Sequence, residues 1–534
     1  MRIFRRFFLR YFIIIILSVI FDFIFNEITE GFIFNFVENI LFAVVLTCPH
    51  LIISNQWLSK LFFIISYVIF SISVCFETVY YNLFETTFSS SVIFVLLDTN
   101  YKESKEFIGF YLNIELSFFL ILILTTVIIT LFRLNSKYFI IEKPAKAFQV
   151  KVFGLFFGII LFLKLSLLIM YNTPYMATRA SIQYYIESKK LSNYANDKIG
   201  DFKNVSRSLP IKEKEIYVIV IGESTARSHL GVYGYYRNTT PLLGGLKDEL
   251  LIYNKVISPD TYTIASLTKV LTLGNYENPN SKFDGSIIQL LNQAKFKTYW
   301  VSVQKPAGAN DSQITNIGLG ADKCYFLNIK RAQEKTVHDE VLLEKLDDIL
   351  LEEGNKKVVF LHTLGTHVDY KNRYPESFNF FKEEIPKTKF KKEHIYEEIN
   401  SYDNAVMYTD YIVSSVIKTV KKVNAHSFVL YFSDHGEEVY DDIEFSGHFR
   451  DEIRTKNVYE IPMILWRSEN YKNGKTIYSH LNSKYMIDDL FHSIAHLVDV
   501  KASEVDSTRS IFSKHFKERK RIVKDTVDYD DIFK

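Results

Sequence analysis

Cysteine is nearly absent: 534 residues hold three, and Cys48 and Cys75 sit in or beside apolar runs, leaving Cys324 alone in the polar part. A disulfide within that part is excluded, so a large domain there must rely on its core. Charge of one sign is missing too. A formal net charge of +2 gives no basis for nucleic-acid binding. No internal repeat or low-complexity tract appears, which sets aside solenoid and disordered classes. Long apolar runs, by contrast, are plentiful, and they crowd into the first third.

At this length two or more domains are expected. The first 170 or so residues are overwhelmingly apolar, and the remainder is rich in Lys, Glu and Asp. Five apolar segments, near 8–26, 32–53, 58–77, 114–133 and 152–171, match the ~20 residues a bilayer-spanning helix needs. One such run is ordinarily a buried core helix; five in succession predict a helical membrane domain over residues 1–172. Arg2, Arg5, Arg6 and Arg10 precede the first span, and Arg133, Lys137, Lys143, Lys146 and Lys151 lie between the fourth and fifth. That bias places the N-terminus in the cytoplasm and everything after about Tyr171 outside. No small-residue cleavage site follows the first run, so it does not read as a signal peptide. Lys164 interrupts the fifth span. Within the long loop at 78–112, FETTFSSSVIFVLLDTNYKESKEF suggests an amphipathic helix at the outer interface.

Residues 173–212 read as a linker with an interfacial helix, and 213–534 as a separate domain. Strand-type runs at Ile216–Ile221, Thr298–Val303, Lys357–His362, Ser427–Ser433 and Ile461–Trp466 alternate with helical patterns such as Asp339–Glu352 and Tyr396–Val423. This alternation predicts an α/β domain with a mainly parallel sheet, whose ligands gather at the carboxyl ends of strands. The first run ends in Glu223. The third ends in LHTLGTH, with His362 and His367, and the fourth in SDHGEE, with Asp434 and His435; His448 follows in GHF. Carboxylates and imidazoles on separate strand tips suit zinc or manganese.

Each piece also has an ordinary reading. A lone acid after a strand caps the next helix, and HTLGTH lacks the i, i+4 spacing of a helical pair. Adjacent Asp434 and His435 on a tight turn are the sharper signal. His492 and His496 in LFHSIAHL are four apart but lack the Glu of the HExxH motif, and read as a helix face. In PDTYTIASLTKVLTLG, Thr261, Thr263 and Ser266 precede an apolar helix. They are either N-caps or a nucleophile at a helix N-terminus, where N–H groups favour phosphate.

In order, GES, YGYYRNTTP, TYTIAS, the His362/His367 pair, SDHGE and GH resemble the membrane-bound phosphoethanolamine transferases of Gram-negative bacteria, members of the alkaline phosphatase/sulfatase superfamily. The resemblance covers essentially the whole chain. It implies five inner-membrane helices followed by a periplasmic α/β catalytic domain. It implies one tightly bound zinc on Glu223, Asp434 and His435, touched also by Thr263, the nucleophile. His362, His367 and His448 match histidines that hold the transferred phosphate group or a second zinc. Gln304 in WVSVQ falls near a polar substrate-binding position, and Asp98 in LLDTN resembles an acidic donor-site residue of the outer loop.

The implied reaction takes phosphoethanolamine from phosphatidylethanolamine, carries it on Thr263, and delivers it to an envelope acceptor. The implied partners are the donor lipid, that acceptor and the bilayer, with no nucleic acid and a monomeric chain. Members acting on lipid A carry several disulfides in the soluble domain, which this chain cannot form. TYTIAS and YGYYRNTTP are closer to the branch acting on lipopolysaccharide core sugars, and lipid A, core heptose, a glucan or a surface protein all stay open as acceptor. A sulfatase needs Cys or Ser in a C/S-x-P-x-R context; Thr263 is followed by Ile-Ala-Ser-Leu-Thr. A phosphoglycerol transferase of the lipoteichoic-acid type differs in donor lipid. A non-catalytic membrane scaffold would have no use for the full ligand set.

Overall fold

The computed structural model describes residues 2–88, 90–99, 101–134, 139, 145–208, 214–304, 313–328, 337–448 and 455–534. The chain divides into two compact units. Met1–Leu97 with Ile108–Tyr185 make the first, and Asp98–Phe107 with Ile186–Phe449 and Ile453–Lys534 the second.

Five helices of the first unit are long and apolar enough to cross a membrane: α1 (Arg2–Phe25), α2 (Glu30–Thr47), α3 (Gln56–Phe84), α4 (Ile114–Phe132) and α5 (Lys146–Leu165). Phe7, Tyr11, Phe63, Tyr67 and Phe119 form a shared aromatic core, while Ile114, Phe132 and Leu165 are exposed. α3 runs well past the expected 58–77 because its polar end is satisfied inside the bundle. The Glu77 carboxylate accepts from Asn39 Nδ2 at 2.7 Å, Asn35 Nδ2 at 3.1 Å and Thr173 Oγ1 at 2.5 Å. Polar groups persist among apolar helices when paired in this way. Glu77→Ala strands those donors and should cost about 1–3 kcal/mol. A lowered melting temperature of the detergent-solubilised full chain checks this; an unchanged one means the network is dispensable.

α5 stops at Leu165, short of the expected 171. Leu167 takes a left-handed φ of +63°, and a 3₁₀ turn follows at Leu168–Tyr171. The expected interfacial helix is divided into Ser90–Asp98 and Tyr101–Tyr111.

In the second unit β1 (Glu215–Gly222), β2 (Leu250–Ile252), β3 (Lys297–Ser302), β4 (Lys323–Phe326), β5 (Lys356–His362), β6 (His426–Ser433) and β7 (Met463–Arg467) build a seven-stranded sheet. Their spatial order is β2-β7-β6-β1-β5-β3-β4. The run from β6 to β4 is parallel; β7 and β2 complete the edge in antiparallel fashion. Central β1 is buried along its whole length. Tyr217, Ile219 and Ile221 pack on one face with Leu267, Trp300 and Phe360, and Val218 and Val220 on the other with Leu346, Val413 and Ile417. Unbroken Val/Ile runs mark such doubly covered strands. The register sets Ile221 against His362 and Gly222 against Ser433, so β1, β5 and β6 end level with one another. Two helices complete the frame needed below, α6 (Thr263–Leu271) and α7 (Glu393–Lys422).

Candidate active site

Glu223 follows β1, and Asp434 and His435 follow β6; all three are buried, and their ligand atoms lie within 4.8 Å of one another. Backbone bonds fix how each side chain is presented. Asp434 Oδ1 accepts the N–H of Ser224 at 3.1 Å and of His435 at 2.8 Å, while Oδ2 has no hydrogen-bond partner among the described residues. His435 Nδ1 lies 2.8 Å from the Gly436 carbonyl, which makes it the donor nitrogen. Its Nε2 sits 3.3 Å from Glu223 Oε1 and 3.5 Å from Asp434 Oδ2, yet makes no hydrogen bond among the described residues.

Buried polar atoms left without partners mark a place for a ligand. Two carboxylates and an imidazole converging on one point are a donor set that fits zinc. The electrostatics agree. Burial opposes charge on His435, but Asp434 and Glu223 raise its pKa to about 10, so the site calls for positive charge. Burial, with Glu223 beside it, drives Asp434 up to about 8. Glu223 overcomes its own burial and stays well below the usual carboxylate range, held there by His435 and then His367 and His362.

Thr263 opens α6, and its Oγ1 donates to Oε1 and Oε2 of Glu223 at 3.1 Å each. Of the three candidate hydroxyls, this one reaches the carboxylates: Ser266 Oγ donates to the Asp434 carbonyl at 2.6 Å, and Thr261 is buried beside Asp260. Gln304 Nε2 donates to Glu223 Oε2 at 2.8 Å and to the Thr363 carbonyl at 3.1 Å, so it props a carboxylate.

The three histidines also gather here. His362 Nδ1 lies 3.3 Å from Ser302 Oγ, and its buried Nε2 has no hydrogen-bond partner among the described residues. The His448 ring centre is 4.3 Å from that of His435 and 6.4 Å from that of His367. Burial lowers His362 and His367 to about 4, and burial followed by His435 pushes His448 well down, so all three are neutral imidazoles.

Glu437 is the residue that sequence reasoning passed over. Its Oε2 meets His448 Nδ1 at 2.5 Å, its Oε1 accepts from Tyr370 at 2.8 Å, and with His435 and His448 it forms a second group able to hold a metal ion. The signal was the acid two residues after His435 in SDHGEE. The Asp98 side chain lies outside the described residues. His492 is a buried helix residue whose Nδ1 accepts from Asp506 N at 3.2 Å.

A tight loop after β5 wraps Glu223. Thr366 N donates to the Glu223 carbonyl at 3.0 Å, and the Asp339 carboxylate accepts the N–H groups of Leu364 and Gly365 at 2.8 and 3.0 Å. Gly365 has φ +51°, and a Cβ there would meet Glu223 O at 2.7 Å and Glu223 N at 2.8 Å. Backbone cannot yield to such a contact, so Gly365→Ala should destabilise by about 1–3 kcal/mol and displace Glu223. Melting temperature and bound zinc should fall together; a variant with both unchanged contradicts this packing account.

The sulfatase family profile matches residues 215–500. Over 474 residues the chain is 31% identical to phosphoethanolamine transferase EptC of Escherichia coli (strain K12), an alignment that covers 83% of this chain and 80% of that protein. A crystal structure of the C-terminal periplasmic domain of EptC from Escherichia coli, in complex with Zn, superposes with a TM-score of 0.60 at 33% identity, covering 62% of this chain and 97% of that one. The integral membrane protein lipooligosaccharide phosphoethanolamine transferase A from Neisseria meningitidis shares the fold, with a TM-score of 0.65 at 19% identity over 93% of this chain and 95% of that one.

Proposed function

This chain belongs to the membrane-bound phosphoethanolamine transferase family of the alkaline phosphatase superfamily, and on that premise we propose that it carries phosphoethanolamine from phosphatidylethanolamine, by way of Thr263, to a lipopolysaccharide-type or other surface acceptor. Lipid A and core sugars are the acceptors meant. The observation that carries the reading is the Thr263 hydroxyl, bonded at 3.1 Å to both oxygens of Glu223 beside Asp434 Oδ2 and His435 Nε2, which have no hydrogen-bond partner among the described residues. Glu223, Thr263, Asp434 and His435 would hold one zinc. When bound, zinc favours the alkoxide form of a threonine hydroxyl and offsets charge on phosphoryl oxygens.

The remaining work falls to the chain's own groups. Glu223 orients Thr263 Oγ1, which gives its proton to an imidazole of the His362, His367 and His448 set and attacks the donor phosphorus; the new P–O bond forms as the bond to the diacylglycerol oxygen breaks. The imidazolium so formed passes that proton to the leaving oxygen. In the second half an acceptor hydroxyl gives its proton to the same set and attacks phosphorus, and Thr263 leaves as its oxygen takes that proton. An imidazole that starts neutral can serve both halves, because it takes a proton first and gives it up as the imidazolium. Glu437 fixes the His448 ring through Nδ1. The catalytic domain, 213–534, belongs on the periplasmic side of a multi-pass inner-membrane protein with its N-terminus in the cytoplasm. Tethering then raises the local concentration of a lipid donor.

The test reconstitutes the zinc-replete full chain in vesicles of phosphatidylethanolamine or of phosphatidylglycerol, each with lipopolysaccharide, and reads the acceptor by mass spectrometry. Phosphoethanolamine on the acceptor with the first vesicles alone is expected. Phosphoglycerol transfer from the second would establish the other lipid-dependent chemistry, and no transfer from either would contradict the reading.

A further inference from the structure

The stretch from Arg227 through YGYYRNTTP takes no part in the chemistry above, yet it carries a buried imidazole gripped from both sides. His229 lies six residues beyond Glu223, and Asp441 six beyond His435. Their two arms leave neighbouring parallel strands, paired Gly222 to Ser433. They meet again where His229 Nε2 lies 3.1 Å from Asp441 Oδ2. On the other side His229 Nδ1 lies 2.7 Å from Asp403 Oδ1 on α7. The second Asp403 oxygen accepts from Arg237 Nη1 at 2.7 Å and from the Tyr235 hydroxyl at 3.0 Å, which gives the tyrosine and arginine of the motif a structural task. Tyr402, one residue earlier on α7, clasps the near end of the same arm. Its hydroxyl accepts from Ala226 N and donates to the Ser224 carbonyl, both at 2.8 Å.

Both His229 nitrogens face carboxylates, so both donate and the ring is a cation. Burial opposes that charge, but Asp441 and Asp403 raise its pKa to about 10. A buried bridging ion pair of this kind is a poor source of net stability and a good fixer of register. The register it fixes is that of two arms whose roots carry Glu223 on one side and Asp434 with His435 on the other.

We propose that His229 is a positioning residue of the metal centre, anchored by Asp403 and reaching Asp441, so that ligands from two separate strand ends keep a fixed spacing. The inference rests on the metal-centre reading of Glu223, Asp434 and His435. Outer contacts that hold ligands in place commonly alter metal affinity 10–100-fold.

Asp441 is the place to cut, because it is part-exposed and its removal leaves the Asp403 anchor intact. Zinc affinity of the full-length protein in detergent is measured by competition with a chromophoric chelator, alongside melting of the metal-stripped protein. Asp441→Ala should weaken the tightest zinc phase about tenfold or more, with metal-free melting close to that of the parent. Asp441→Asn, which restores an acceptor oxygen, should recover most of the affinity. Wild-type affinity in Asp441→Ala overturns the proposal. So does a loss that tracks a lower metal-free melting temperature and that Asn fails to rescue. A parent protein without a tight zinc phase defeats the metal-centre reading itself, a result distinct from either.

Discussion

Thr263→Ala should abolish transfer, lowering the rate by about a thousandfold or more, while the full-length protein stays folded and keeps most of its zinc. The argument is local. Thr263 is the first residue of α6 and touches the site through Oγ1, by its bonds to the two Glu223 oxygens. Helix α6 is held by other contacts, since Leu267, Val270 and Leu271 are buried in the core cluster beneath the sheet. Alanine is a good helix former and leaves that packing alone. Glu223, Asp434 and His435 keep their places, so the metal loses at most one ligand. Thr263→Ser restores a hydroxyl without the methyl group and should recover measurable transfer. Single-turnover rates, zinc content and circular dichroism on the three proteins check the set. Substantial transfer by Thr263→Ala would remove the threonine from the chemistry.

Asp434→Asn should act with opposite signs on the metal-free and zinc-loaded protein. Its Oδ1 can still accept from Ser224 N and His435 N, as the aspartate does at 3.1 and 2.8 Å. What disappears is a buried group whose ionisation is opposed by burial and then by Glu223, which raise its pKa to about 8. A carboxyl raised in the folded state stabilises while both states are protonated. That contribution fades as pH rises from the ordinary carboxylate range towards about 8. Metal-free wild type should therefore lose stability across that window, and metal-free Asp434→Asn should lose less and melt higher at neutral pH. With zinc the order reverses, because binding to the folded state stabilises it by an amount that grows with the logarithm of affinity. Transfer should fall about a hundredfold or more with the lost ligand. Melting curves across pH, with and without zinc, read both signs. Equal zinc-induced stabilisation of the two proteins would contradict the assignment of Asp434.

Much of this site was legible because its residues directly follow apolar strand runs. Glu223 comes after Ile216–Ile221, and Asp434 and His435 after Ser427–Ser433. In a parallel sheet the ends of adjacent strands must come together, so residues far apart in sequence could be gathered on paper. Other features depend on packing that no local pattern carries. Ile461–Trp466 reads as a strand, but its antiparallel direction is set by its neighbours. Gln304 comes to notice only through the family resemblance, and its bond to Glu223 is a tertiary fact. His229 finds Asp403 across 174 positions of sequence, joined by nothing but the fold. Glu77 and the last turn of α3 look like a helix end in hydropathy alone, because their partners lie on α2 and at Thr173.

Intact and peptide mass spectrometry of the zinc-replete full chain, after incubation with phosphatidylethanolamine and no acceptor, tests the central claim most directly. A phosphoethanolamine adduct on the peptide containing Thr263, absent in Thr263→Ala and discharged when acceptor is added, is the predicted result. No adduct on Thr263, in a preparation that does modify the acceptor, would contradict transfer through this residue.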